Sequence, residues 1–328
     1  MRRLLFLLVL AVIAWGAYAV LAPTGPTNET FVEILPGTPT MQIAAQLKQR
    51  GLIHSKYAFE AERLAKGGTL KAGEYRFDHP AKMSEIYERL ERGDVYTISV
   101  TIPEGSNLFD IAERIESSNL GTKEAFLSAA NADVGLIADL DPRARSLEGY
   151  LFPDTYRFER RSTPQQILAV MVKRFRQAAG SLGLQANYHH VVTVASLVER
   201  ETPVDVERPL VASVFENRLA KDMPLMTDPS VIYAALLDGR YRGTIYASDL
   251  QADSPYNTYR YPGLPPGPIC NPGMASLKAA MNPAQTDYLY FVAASADPSG
   301  KSRFSATLEG HAHDVQQYRR SLREAGSR

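Results

Sequence analysis

Cysteine is almost missing from the 328-residue chain: Cys270 is the only one. That excludes an intrachain disulfide and a cysteine-rich metal site. Net charge is missing as well, with 36 basic residues against 36 acidic ones. Proteins built around nucleic acid carry a basic surplus or stripe, so nucleic acid is not an expected partner. There is no Gly-x-Ser-x-Gly elbow for serine catalysis and no glycine-rich phosphate loop. Cys270 lies in a proline-rich stretch without a helix start, a poor setting for a reactive thiolate. His311 and His313 are metal-ligand types, but no convincing third ligand accompanies them, so neither a metal nor a cofactor is expected. His189 and His190 open a helix and read as capping or structural residues.

The N-terminus carries the long apolar run. Arg2 and Arg3 precede uncharged residues from Leu4 to Ala22, about the length that crosses a bilayer as a helix. The arginines predict a cytoplasmic N-terminus and an extracytoplasmic body, a single-pass protein of the cell (inner) membrane. The competing reading is a signal peptide cut near Ala17-Tyr18-Ala19. The run is long for a signal peptide and continues past that point, which favours a retained anchor.

A Pro-, Gly- and Thr-rich linker covers 23–30. Strands are predicted at 31–35, 71–77 and 95–102, and helices over 41–50, 56–64 and 83–92. Gly37-Thr38 with Ile43-Ala44 later, and Gly105-Ser106 with Ile111-Ala112 later, read as two strand–turn–helix units with Ile-Ala at one offset. Both resemble the opening of LysM modules, which bind N-acetylglucosamine polymers. Generic α/β packing explains the same pattern. Further helices are predicted over 123–140, 163–182, about 185–202, 206–219, 228–237, 274–281 and 313–324, with strands at 288–292 and around Phe304. Thr163-Pro164 with Gln166 is a helix-start signature. Residues 146–156 and 254–269 are irregular, and between them hold Tyr150, Tyr156, Tyr256, Tyr259 and Tyr261. Tyrosine rings pack on sugar faces and amides such as Asn257 hold sugar hydroxyls or acetamido groups. Filling core joints is the structural alternative for any one of these tyrosines.

The helix Val191–Thr202 ends in acid. Val194, Leu197, Val198 and Glu201 share one helical face, and Pro203 biases Thr202 away from helical geometry. A carboxyl among apolar neighbours at the negative end of a helix dipole has a raised pKa, as a general acid working near neutral pH requires. Glu201 is the first choice. Glu199 is the rival, in a less apolar setting beside Ala195 and Ser196.

At this point the sequence resembles a family. Ala195–Thr202, Leu147–Tyr156, Val214–Leu219, Thr227–Tyr233, Tyr256–Tyr259, Gly263–Ile269 and Tyr288–Val292 resemble, in order and spacing, the YceG-like endolytic peptidoglycan (murein) transglycosylases. The resemblance covers nearly the whole chain. It implies an α+β fold: an N-terminal transmembrane helix (1–22), a LysM-like α/β domain (31–98), a second α/β segment (99–160) and a mostly helical, lysozyme-like catalytic domain with a few strands (161–328). It implies endolytic cleavage between N-acetylmuramic acid (MurNAc) and N-acetylglucosamine (GlcNAc), leaving a 1,6-anhydro-MurNAc end. It also implies action beside peptidoglycan synthases, ending strand elongation. The expected site is Glu201 as the acid, with Asn257, Tyr259, Tyr256, Tyr150 and Asp228 toward the sugar. Glu148 and Asp154 are candidate supporting carboxylates with Arg200 and Arg218 as partners. A hydrolytic muramidase using Asp228, and a non-catalytic wall-binding scaffold, are the alternatives.

Overall fold

The computed structural model describes residues 2–297 and 300–326. The chain divides into two units, one of residues 1–98 with 157–160, the other of residues 99–156 with 161–328.

The first unit begins with α1 (Arg2–Leu21), followed by β1 (Thr30–Ile34), α2 (Thr40–Gln49), α3 (Lys56–Lys66), β2 (Gly73–Phe77) and α4 (Met83–Arg92). β1 and β2 pair antiparallel, Thr30 opposite Phe77 and Ile34 opposite Gly73. The two helices between them close over one face of this ribbon. Val32, Ile34, Ile43, Leu47, Phe59 and Tyr75 are buried there together, and burial of this size is what holds so short a sheet. Ser55 caps α3 by accepting from the Ala58 N–H at 3.3 Å, and Gly93 ends α4 in the left-handed region.

The transmembrane helix expected at the N-terminus, and with it the single-pass membrane location, is corrected by the structure. Among the described residues no helix is long and apolar enough to cross a membrane. The last turn of α1 belongs to the first unit: Ala19 is 1 % exposed, and Val20 packs against the core. Tyr18 lies against His54 with ring centroids 5.0 Å apart. Between the two arginines and this docked turn, residues 4–17 make a helix about 21 Å long, short of the ~30 Å hydrocarbon core.

The second unit takes in residues 99–101 of β3 (Ile98–Thr101) and 155–156 of β4 (Thr155–Phe158), strands that pair, and the helices α5 (Leu108–Ser117) and α6 (Lys123–Ala132) lie between them in sequence. The helix expected over 123–140 stops at Asp133 and continues only as a 3-10 turn, Val134–Ile137. β4 falls partly inside the segment read as irregular. Then follow α7 (Pro164–Leu182), α8 (Tyr188–Glu201), α9 (Arg208–Leu219), α10 (Asp228–Leu237), α11 (Ala247–Leu250), α12 (Met274–Met281), β5 (Tyr290–Ala293), β6 (Ser302–Ser305) and α13 (Leu308–Gly326). Thr163 and Gln166 form the expected capping box of α7, with Gln166 accepting from the Thr163 N–H at 2.8 Å.

α8 is the axis of this unit. Val191 through Val198 are buried on every side, because α9, α10 and α12 all pack on it. The proline-rich loop closes it further: the Ile269 N–H donates to Ser196 Oγ at 3.1 Å. Gly149, at φ +87°, sits so close to Pro268 and Val192 that a Cβ would stand 2.5 Å from Pro268 Cγ. A side chain there would push the loop off α8.

Candidate active site

Glu201 is the last residue of α8. Thr202 is extended, at φ −139° and ψ 130°, so the helix stops where Pro203 requires it to. The Glu201 carboxyl is pushed up to about 7, first by burial, then by the negative charge of Asp228, with Arg218 opposing. The helix therefore carries a carboxyl that is close to half protonated at neutral pH.

Asp228 opens α10, where Pro229 suits the first turn. Its Oδ1 accepts from the Tyr259 hydroxyl at 2.6 Å. Tyr259 is placed by its own loop, since its N–H donates to Asn257 Oδ1 at 3.1 Å. Burial, then the bond to Asp228, raise the Tyr259 phenol, which stays protonated. Arg218 comes from the last turn of α9. Its guanidinium donates to the carbonyls of Leu289 at 2.7 Å and Leu225 at 2.8 Å, and lies over the Tyr290 ring, 5.4 Å from its centroid. These partners carry no formal charge, so the cation remains available to the field at Glu201. His311 of α13 stacks on Tyr290 at 5.2 Å and 20°. Burial, then Arg218, lower its pKa, which keeps the ring neutral at pH 7.

Glu199 has a different environment. Its Oε2 accepts from Arg208 Nη1 at 2.9 Å and from the Gly273 N–H at 3.0 Å, and Arg208 Nη1 also reaches Ser276 Oγ at 2.6 Å. Both members of the pair have side chains only 6 % exposed. Glu199 fastens α8 to α9 and to the start of α12.

Of the residues singled out in the sequence, Glu201, Asp228 and Tyr259 come together, and Arg218 joins them. Asn257 is fully buried, and its amide donates to Leu250 O at 3.0 Å and Ala252 O at 2.9 Å. Tyr150 is a core residue whose hydroxyl donates to Asp141 at 2.7 Å and whose ring meets Phe175 edge-on. Tyr256 packs edge-on against Tyr233, 5.1 Å between centroids, and both line a cavity of about 230 Å³ with Leu108, Phe109 and Arg145. Glu148 is buried and joins segments, accepting from the Leu108 N–H and from Asn271 Nδ2, each at 2.9 Å. Burial pushes its carboxyl up to about 8. Asp154 pairs with Arg174 at 2.6 Å. Tyr290 was legible only as one of a run of strand residues and His311 only as half of a His-x-His pair. Among the described residues no group of three or more His, Cys, Asp or Glu is placed to hold a metal ion.

The match to known proteins runs along this same framework. The model of the YceG-like family matches residues 32–317. The chain belongs to the YceG-like family. A relative from Bacillus subtilis (strain 168), named endolytic murein transglycosylase, is 35 % identical over 329 residues, covering 93 % of this chain and 90 % of its own. A protein of the same name from Streptococcus pneumoniae serotype 2 is 30 % identical over 361 residues; the match covers 95 % of this chain but only 64 % of the pneumococcal one. The crystal structure of a YceG-like protein from Listeria monocytogenes superposes with a TM-score of 0.56 at 34 % identity, over 87 % of this chain and 99 % of that one.

Proposed function

We propose that this YceG-like chain is a peptidoglycan lytic transglycosylase that cuts within glycan strands, with Glu201 as its acid and base. The observation that carries the assignment is the asymmetry at the end of α8. One glutamate accepts hydrogen bonds from an arginine and a backbone N–H, while the other is pushed up to about 7. An acid poised near the working pH both gives and takes a proton efficiently.

Protonated Glu201 gives its proton to the oxygen linking MurNAc C1 to GlcNAc O4. The C1–O4 bond breaks, and GlcNAc leaves with a 4-hydroxyl. The resulting carboxylate takes the proton of the MurNAc C6 hydroxyl as O6 bonds to C1. Glu201 is restored, no water is consumed, and the strand ends in a 1,6-anhydro ring. An internal nucleophile has a high effective molarity, so no nucleophilic side chain is needed. Asp228 favours the protonated acid before transfer, and Arg218 favours the carboxylate after it. Tyr259 holds Asp228 in place. Cuts of this kind beside a synthase end strand growth. The two helices between paired strands in the first unit are the proposed GlcNAc-polymer grip, following the LysM-like motif in their sequence.

Digestion of purified glycan strands followed by mass spectrometry tests the reaction. Products one water lighter than reducing ends are expected, and reducing ends would make the enzyme a hydrolase. A Glu201→Gln variant that cuts at the wild-type rate would overturn the assignment of the acid.

A further inference from the structure

A second polar cleft, of about 480 Å³, opens where the turn before α5 meets the end of α8. Its lining includes Glu104, Asp110, Glu113, Arg114, Ser117 and Arg200. Asp110, Glu113, Arg114 and Ser117 stand at i, i+3, i+4 and i+7, one face of α5. Arg200 comes from the other wall, one residue before Glu201, so the two Cα atoms are about 3.8 Å apart. Gly105, at φ +77°, brings the turn onto this helix end, where a Cβ would lie 3.5 Å from Arg200 Cδ.

The charges in this cleft are unbalanced in a specific way. Asp110 and Arg114 stand at i and i+4, acid first, the order that normally pairs. Asp110 instead accepts from the Asn107 N–H at 3.0 Å, closing the cap of α5. Glu104 is turned toward α12, where it accepts from the Met274 N–H. Neither Arg114 nor Arg200 has a carboxylate within 4.0 Å among the described residues. Among the described residues the Arg200 guanidinium makes one hydrogen bond, to Gly105 O at 3.4 Å. Two exposed guanidiniums without anions thus face a cavity that also offers the Glu113 carboxylate. That pattern is complementary to a ligand carrying free carboxylates and an amine.

We infer that this cleft is a subsite for a short peptide with free carboxylate groups, the peptide branch of the murein strand being cut. Arg114 and Arg200 take the carboxylates and Glu113 takes the amine, on the side of the α8 end that carries Glu199, where a Cβ on Gly105 would also lie 3.5 Å from Glu199 Cγ. The identity of the peptide rests on the function proposed above; the binding chemistry rests on the cleft. The subsite favours strands that still carry their peptides over strands stripped of them.

Calorimetric titration of the full chain tests this without any turnover. The probe is a tripeptide of L-alanine, γ-linked D-glutamate and L-lysine, acetylated at its N-terminus, compared with the same peptide fully amidated at its carboxylates. The acid form is expected to bind at least about tenfold more tightly, as charge-assisted bonds to two guanidiniums provide. Arg114→Gln and Arg200→Gln each reduce that preference to below about threefold. Both side chains are exposed, so the variants keep their fold, which circular dichroism checks. Glu201→Gln keeps the preference while losing strand cleavage. Equal binding of the two peptides by wild type, or a preference that survives either arginine variant, overturns the subsite. Failure of wild type to cut strands overturns the catalytic reading instead and leaves the titration to decide the cleft.

Discussion

Glu199 and Glu201 stand two residues apart on one helix, about 200° apart around its axis, and the two sides of the helix end treat a carboxylate in opposite ways. On the Glu199 side a buried guanidinium and a backbone N–H meet the carboxylate. On the Glu201 side the nearest charges are an aspartate and an arginine that is bonded to carbonyls and a ring face. Burial alone therefore does not make an acid. What separates a structural glutamate from a chemical one is whether donors to the charged form were brought in with it.

The sharpest way to break this comparison is to neutralise each side in turn. Glu201→Gln should lower kcat on purified glycan strands by about 10³-fold, the scale of lost general acid–base catalysis, with the circular dichroism spectrum unchanged. Glu199→Gln should act on the fold first. It removes the buried partner of Arg208, whose side chain is 6 % exposed, and leaves it only the exposed Asp205 at 3.2 Å; removal of one partner of a buried pair costs about 3 kcal/mol or more, read by denaturant unfolding. If Glu199→Gln were stable and inactive while Glu201→Gln stayed active, the roles would be exchanged.

Stability against pH sharpens the same contrast. The folded state raises Glu201 from 4.5 to about 7, so it binds a proton that the unfolded chain has released across that interval. Native stability therefore falls as pH rises from about 4.5 to about 7 and levels off above, by about 3 kcal/mol. Glu201→Gln removes this loss: denaturant midpoints of variant and wild type should differ more at pH 8 than at pH 4. Asp228→Asn should move the basic limb of the activity profile to lower pH, because a negative charge that raises the Glu201 pKa is gone. The smallest change is Tyr259→Phe. It removes the 2.6 Å donor to Asp228 and should cost about 1 kcal/mol in kcat/KM, several-fold in rate.

Much of the second unit could be read from local pattern. The capping box at Thr163, the stop at Pro203 and the acid continuing an apolar face depend on neighbours within one or two helical turns, and the structure has them where the sequence places them. The aromatic loops are harder to read, for a physical reason. Tyr150 and Asn257 have the chemistry of sugar ligands, but the same hydroxyl and amide satisfy buried polar groups, and here they do. The N-terminal run misled because length along the sequence does not reveal that the last turn of the helix docks on the first unit's core.

By itself the sequence determined the family, the helix that ends in two glutamates, and the absence of any rival nucleophile. Telling the surroundings of those glutamates apart needed the tertiary structure. The partners that differ, Arg208 and Gly273 for one and Asp228 and Arg218 for the other, lie between nine and seventy-four positions away along the chain. A carboxyl's proton affinity depends on the charges and donors around it in space, which only the folded chain assembles.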